Sequence, residues 1–538
     1  MLSVGGALLV VGAICLCQSL GRWLIRQRRK CFDAFDGTGV PTVPLRSLIS
    51  GNTNEFWEPT VIERIDEWVK GYGNVFGFFI GDTPFMVVKD LDMINEIFIK
   101  EANKFSSRGR MFHMYEQDPL FAKYLVFSKG SVWKRSRNCM SQFFTSSKLR
   151  AVMPSLLHAQ KQFIDVLGEH ADRGVDVDIN SLCERFTFDV IGKAAYGIDT
   201  GVQRNPDHPL FKSALAVLTN LTSGFFYHLG QYLYHWEWLL KLAFKVIGAI
   251  SSNPLAEMTK KVTEVIRYRR KNPQVRVPDM AQILLDGLVE GEVSEVGKYD
   301  VSVDNTAPLP PETLNQLSSN CMAIFIGGYD TTRMALTFWF YLMGRYPEVQ
   351  EKMRQEVLNA FDTEGDHLSL RTVTTLPYSN QVISETLRLY PPVIIFTTRC
   401  ADDDYRYGKY LIRKGTSVLV PTYQLHHDPQ YWKEPENFDP ERFSPENKST
   451  INPTAYQPFG LGQLICIGQR LALIELVSAA AQTLRHYRIV LGKSQKRDLE
   501  IGTYSIMAAP KQKVLIQLRK LNGVKGVPKW LYCGNSYF

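Results

Sequence analysis

FGLGQLICIG, from Phe459 to Gly468, sets one cysteine, Cys466, at the end of a loop punctuated by glycines. Just beyond it runs LALIELVSAAAQTL, apolar and free of internal Gly or Pro, which predicts a helix. A thiolate in that place sits at the positive end of the helix, where the dipole and free backbone N–H groups stabilise a sulfur anion. Gly460, Gly462 and Gly468 let the backbone crowd close to a large flat ligand. Two readings follow from these residues alone: a buried small hydrophobe ahead of a helix, or an axial thiolate on haem iron.

The chain has 538 residues, 45% hydrophobic and 12% aromatic, enough for a large catalytic domain with a sizeable core and unlike a disordered or fibrous composition. Its 62 basic and 54 acidic residues leave +8, a modest excess that suits an anionic membrane surface or an acidic partner. No long basic block lies beyond the N-terminus, so nucleic-acid binding is not expected. The 9 cysteines are scattered, without C-x-x-C zinc spacing or the density of a disulfide scaffold, which suits a reduced, cytosol-facing body.

From Leu2 to about Gly21 the chain is uncharged and mostly apolar, then meets Arg22, Arg26, Arg28, Arg29 and Lys30. Roughly 20 such residues can cross a bilayer, and the basic flank after them should stay cytoplasmic. A cleaved signal peptide would carry its positive region ahead of the apolar stretch. Residues 1–30 are therefore read as a signal anchor with its basic flank, and residues 31–50, rich in turn formers, as a linker. A catalytic domain is assigned to 51–525 and a C-terminal tail to 526–538. The domain opens with YGNVFGFFIGDTPFMVVKD, whose apolar runs either side of Gly81 and Asp82 predict a β-hairpin. From about Leu91 to Arg270 the pattern is mainly helical. Within it Ser223 to Ile250, crowded with aromatics, reads either as a core helix pair or as an apolar patch resting on a membrane. Gly287 to Pro311 reads as a surface loop.

After Pro311 a long helix is predicted, apolar nearly all round past its first turns and hence central. GGYDTT, Gly327 to Thr332, interrupts it. It reads as a kink with a surface Asp330, or as a local widening in which Thr331 bonds a backbone carbonyl and Gly327 and Gly328 leave room above a cofactor. In SETLRLYPP, Glu385 and Arg388 share a helix face, and DPERFSPEN offers Arg442 on a proline-fixed loop. These form a solvated surface pair, or a buried carboxylate held between two guanidiniums. GSVWKRSR puts Trp133 and Arg137 on one helix face, and Arg399 follows PPVIIFTT; all three are suitable donors to carboxylates.

Taken in order, Trp133 to Arg137, Gly327 to Thr332, Glu385 to Arg388, Pro440 to Phe443 and Phe459 to Gly468 resemble the signature set of cytochrome P450 monooxygenases. The match spans about residues 60 to 520. DPERFSPENKSTINPTAYQPFG, with YGNVFG, FTSSKLRAVMP and HHDPQYW, is most similar to the vertebrate drug-metabolising family 3 and its thromboxane-synthase and arthropod relatives.

The resemblance implies a mainly α fold with a small β-rich subdomain, preceded here by a transmembrane helix, and haem b as the cofactor. Cys466 would be the iron ligand, with Phe459, Gly460 and Gly468 around it. Trp133, Arg137 and Arg399 would hold the propionates, with Gly327 and Gly328 at the oxygen site. Asp330 and Thr331 would deliver protons during O–O cleavage, and Glu385, Arg388 and Arg442 would form a folding lock. Phe225, Ala323, Ile326, Val393, Phe396 and Ile506 are expected to line the substrate pocket. One departure stands out: an arginine usually lies two residues before the cysteine, and this chain has Leu464, beside Gln463 instead of the common proline. The lost charge-assisted hydrogen bond would be worth about 1.5 to 3 kcal/mol.

The implied activity is insertion of one oxygen atom from O2 into a lipophilic small molecule, with electrons from NADPH reaching the haem through NADPH-cytochrome P450 reductase. Cytochrome b5 and the lipid bilayer are further expected partners, and the endoplasmic reticulum membrane, crossed once with the catalytic domain in the cytoplasm, is the expected location. Lys134 and Arg135 serve either to dock an acidic reductase or as an ordinary solvated face. Two alternatives are an endoperoxide isomerase of the thromboxane-synthase kind, needing no reductase, and a non-catalytic haem-binding protein.

Overall fold

The computed structural model describes residues 18–19, 21–57, 60–112, 116, 121–220, 225–232, 235–247, 254–277, 279–289, 309–496 and 498–521. The apolar part of the expected anchor through residue 17, the loop at 290–308 and the tail at 526–538 lie outside these. Among the described residues no helix is long and apolar enough to cross a membrane.

Helices dominate, and those that shape the site are α1 (Gly130–Ser141), α2 (Ser146–Arg173), α3 (Ile179–Tyr196), α4 (Pro311–Arg345), α5 (Pro347–Glu364), α6 (Pro377–Leu389) and α7 (Gln469–His486). Pro311 opens α4 at its first turn, where a missing N–H costs nothing. From Leu314 onward α4 is buried on most sides, and it packs most extensively on α3 and also on α7. Aromatic residues fill these seams: Phe163 of α2 stacks on Phe186 of α3 at 4.6 Å, and Trp339 of α4 is fully buried.

The predicted hairpin is present as β1 (Val75–Ile80) and β2 (Thr83–Val88), antiparallel with Val75 opposite Val88. Both strands are buried along their whole length, which explains their unbroken apolar runs. β3 (Thr398–Cys400) and β4 (Ser417–Leu419) complete a sheet of order β1-β2-β4-β3, with β2 parallel to β4 and β3 antiparallel to it. A smaller hairpin pairs β5 (Ile501–Tyr504) with β6 (Met507–Pro510). Residues 31–50 do not stand off from this body. Phe35, Val40 and Val43 are buried, and Val43 N–H donates to Gly77 O at 2.8 Å.

Candidate active site

The cysteine loop closes on itself, with Cys466 N–H donating to Phe459 O at 2.9 Å. Two glycines make the path possible. Gly460 and Gly462 have φ of +80° and +71°, and a Cβ at Gly462 would stand 2.1 Å from Phe98 O. Gly468 is the residue from which α7 departs, as the sequence predicts. The Cys466 side chain is exposed on the wall of a cavity. Burial pushes its pKa up, against the backbone N–H groups of Gly468 and Gln469 and the charges of Arg108 and Arg137.

The cavity has a volume of about 240 Å³ and is bounded by α1, α4, the cysteine loop, the start of α7 and the segment ahead of β3. Three guanidiniums converge on its loop side. Arg137 donates to Ile465 O at 2.8 Å, Arg399 to Leu461 O at 2.6 Å, and Arg108 to Leu464 O at 3.0 Å. Arg108 stacks on Phe396 and Arg399 on Phe98, each at 4.5 Å. Burial drives the Arg108 pKa down to about 10 and that of Arg399 to about 9, and Arg399 Nε has no hydrogen-bond partner among the described residues. Guanidiniums short of anions, Arg399 fully buried and Arg108 and Arg137 partly so, with an apolar cavity and a thiol beside them, fit a flat apolar macrocycle that carries carboxylates at one edge. Trp133 lines the same cavity.

Across from Cys466 the cavity wall is α4, through Ala323, Ile324, Gly327, Gly328, Thr331, Thr332 and Ala335. This is one helical face, and it leaves Ile326 on the other side. The expected widening of α4 is not seen: the helix runs unbroken through Gly327 to Thr332. Room comes instead from a missing side chain. A Cβ on Gly327 would meet nothing within 4 Å, whereas one on Gly328 would stand 2.8 Å from Ile191 of α3. Thr331 Oγ1 donates to Gly327 O at 2.7 Å, the carbonyl bond expected of it.

The structure does not bring Asp330 to this cavity. Its carboxylate ion-pairs with Arg333 at 2.6 Å, Arg333 reaches Glu184 of α3 at 2.8 Å, and these groups line a second cavity of about 420 Å³ with Tyr504 and Lys511. Asp330 Oδ2 has no hydrogen-bond partner among the described residues. Adjacent residues 330 and 331, about 100° apart around α4, therefore line different cavities.

Of the expected pocket residues, Ala323, Val393 and Phe396 line the first cavity. Ile326 and Ile506 are not among its lining; Ile506, in the β5–β6 turn, packs with the cluster of Met334, Phe338 and Met507. The Phe225 side chain lies outside the described residues. Glu385, Arg388 and Arg442 do meet. Arg388 grips Glu385 with Nε at 2.7 Å and Nη2 at 2.8 Å, both residues being fully buried, and Arg442 Nε lies 3.3 Å from the same carboxylate.

Two residues of the site escaped the sequence reading. Arg108 has no motif around it in the sequence. Glu475 lines the cavity from α7, deeply buried, with Oε1 lacking a hydrogen-bond partner among the described residues; burial pushes its pKa well up. Its signal was an acid inside the apolar run LALIELVSAA.

Comparison with known proteins converges on one family. A family model described as Cytochrome P450 matches residues 41–516. The chain is 30% identical to cytochrome P450 3A6 of Oryctolagus cuniculus over 460 residues, which make up 85% of this chain and 87% of that protein. It is 26% identical to probable cytochrome P450 6a13 of Drosophila melanogaster over 485 residues, 90% of this chain and 93% of the other. With cytochrome P450 3A29 of Sus scrofa it shares 29% identity over 462 residues, 85% and 86% of the two chains.

Proposed function

The chain belongs to the cytochrome P450 family and is a haem b monooxygenase, and from that premise we propose that it oxygenates a lipophilic, uncharged small molecule with electrons from NADPH-cytochrome P450 reductase. The observation that carries this reading is the single cavity shared by Cys466 and by the open face of α4 at Gly327 and Thr331.

Bound haem supplies activation of O2, which thiolate donation favours over reversible oxygen carriage. Cys466 would hold the iron, and Trp133, Arg108, Arg137 and Arg399 would pair with the propionates. Phe459, Gly460 and Gly468 would let the loop come close to the haem. Thr331 would position a proton on the cavity side of α4, and Asp330 would supply it from the second cavity by leaving Arg333. Glu385, Arg388 and Arg442 would lock α6 to the loop that precedes the cysteine motif. Ala323, Ile324, Val393 and Phe396 would exclude water and select apolar substrates.

An N-terminal anchor and an apolar surface beside it would place the mouth of the pocket at the endoplasmic reticulum membrane. Trp238, Leu242 and Val246 recur at helical spacing on Glu237–Ile247 and are exposed, as is Trp23 within the basic flank. Lys134 and Arg135 are exposed on the helix that presents Trp133 and Arg137 to the cavity, a fitting place to receive an acidic reductase or cytochrome b5.

Reconstitution in phospholipid vesicles with the reductase and NADPH tests the reading. Lipophilic compounds that shift the ferric Soret band toward high spin should also drive NADPH oxidation and yield an oxygenated product. Thr331→Ala should raise peroxide at the expense of product. Product formed without NADPH, or no compound that stimulates NADPH oxidation, would refute the proposal.

A further inference from the structure

Outside the lining of the haem cavity, three side chains with metal-ligating atoms converge where the end of the basic flank, the β1–β2 turn and the stretch ahead of helix Glu237–Ile247 meet. Cys31 Sγ, an Asp82 carboxylate oxygen and a His235 ring nitrogen all lie within 4.8 Å of one another. His235 Nδ1 is 3.4 Å from Asp82 Oδ2. Ligands about 2.0 to 2.3 Å from a tetrahedral zinc ion stand about 3.3 to 3.6 Å apart, so small shifts close the three onto one centre. Asp82 is fully buried and Cys31 nearly so, while His235 is partly exposed, which leaves one side open to a fourth ligand such as water.

We propose that Cys31, Asp82 and His235 form a divalent-cation site of the zinc class. A thiolate, an imidazole and a carboxylate make a borderline-soft set that suits Zn2+ over Mg2+ or Ca2+. The site already attracts positive charge. Arg28 competes for the same carboxylate, with Nη1 2.5 Å from Asp82 Oδ2. Arg28 also donates to Leu48 O at 2.7 Å and Ile49 O at 2.8 Å, so it has partners to keep when a cation takes the carboxylate. The neighbouring backbone is already stapled, with Asp82 N–H donating to Gln231 O at 3.1 Å. A bound ion would therefore tie the segment at Cys31 to the stretch ahead of helix Glu237–Ile247 through the β1–β2 turn.

The test is equilibrium dialysis of the full-length, haem-loaded protein in detergent against micromolar ZnCl2, with zinc measured by mass spectrometry and the Soret band as the check on folding. The expected result is one equivalent of zinc in the wild type, lost by about tenfold or more in affinity in Cys31→Ala and in His235→Ala. Arg28→Gln should tighten binding by removing the competing cation. Equal zinc content in the wild type and both ligand variants would overturn the site, and unchanged affinity in Arg28→Gln would overturn Asp82 as a ligand.

Discussion

Replacing Glu385 by leucine strands a fully buried guanidinium. Arg388 would lose two hydrogen bonds to the carboxylate and keep two to carbonyls, at 2.8 Å to His426 O and 3.1 Å to Asn437 O. Asp439 N–H, 3.0 Å from Glu385 Oε1, would lose its acceptor too. Removing one partner of a buried pair costs about 3 to 5 kcal/mol, a large part of the roughly 5 to 15 kcal/mol by which domains are stable. The reverse change, Arg388→Leu, should cost less. A stranded carboxyl can take up a proton and still has Arg442 beside it, whereas a stranded guanidinium stays charged. The double variant should recover part of the loss, because neither charge remains uncompensated. The assay is urea unfolding of the haem-loaded protein followed by the Soret band and tryptophan fluorescence, run as a double-mutant cycle. Equal losses in both single variants that add in the double would refute the reasoning.

Arg108→Ala should speed haem loss to apomyoglobin in a transfer assay more than Lys134→Ala does, because Arg108 faces the cavity beside Leu464 and Lys134 faces solvent. Gly462→Ala should yield mostly haem-free protein by pyridine haemochromogen assay, since its Cβ meets the Phe98 carbonyl. Stability should fall as pH drops from about 6.5 to about 4: burial holds the pKa of both His427 and His486 down to about 4, so the unfolded chain binds protons that the native state refuses. Urea midpoints across that range check the sign.

Much of the site was legible because its chemistry leaves local marks. The cysteine loop announces itself through its glycines, two at positive φ and one of these, Gly462, without room for a Cβ, and the β1–β2 hairpin through two apolar runs about Gly81 and Asp82. The direction of side chains on α4 was harder to read. Asp330 and Thr331 are neighbours in sequence, yet a helix turns about 100° per residue, and Asp330 ends against Arg333 and Glu184 on the far side. The same rotation carries Ile326 away from the cavity that Ala323 and Ile324 line. Arg108 and the partners of Asp82 were out of reach for another reason: each contact joins segments far apart in the chain, and single-sequence periodicity says nothing about such pairs. Leu464 illustrates the limit. The absent arginine was evident from the motif, but only the fold places Arg108 at that residue's carbonyl.

The central claim is that Cys466 binds haem iron as a thiolate. The direct measurement is the reduced, carbon monoxide difference spectrum of the purified protein beside its Cys466→Ala variant. Thiolate ligation gives the wild type the red-shifted Soret band of a thiolate-ligated carbon monoxide complex and removes it in the variant; a wild-type band of the histidine-ligated kind alone, or a thiolate-type band that survives loss of the sulfur, would contradict it.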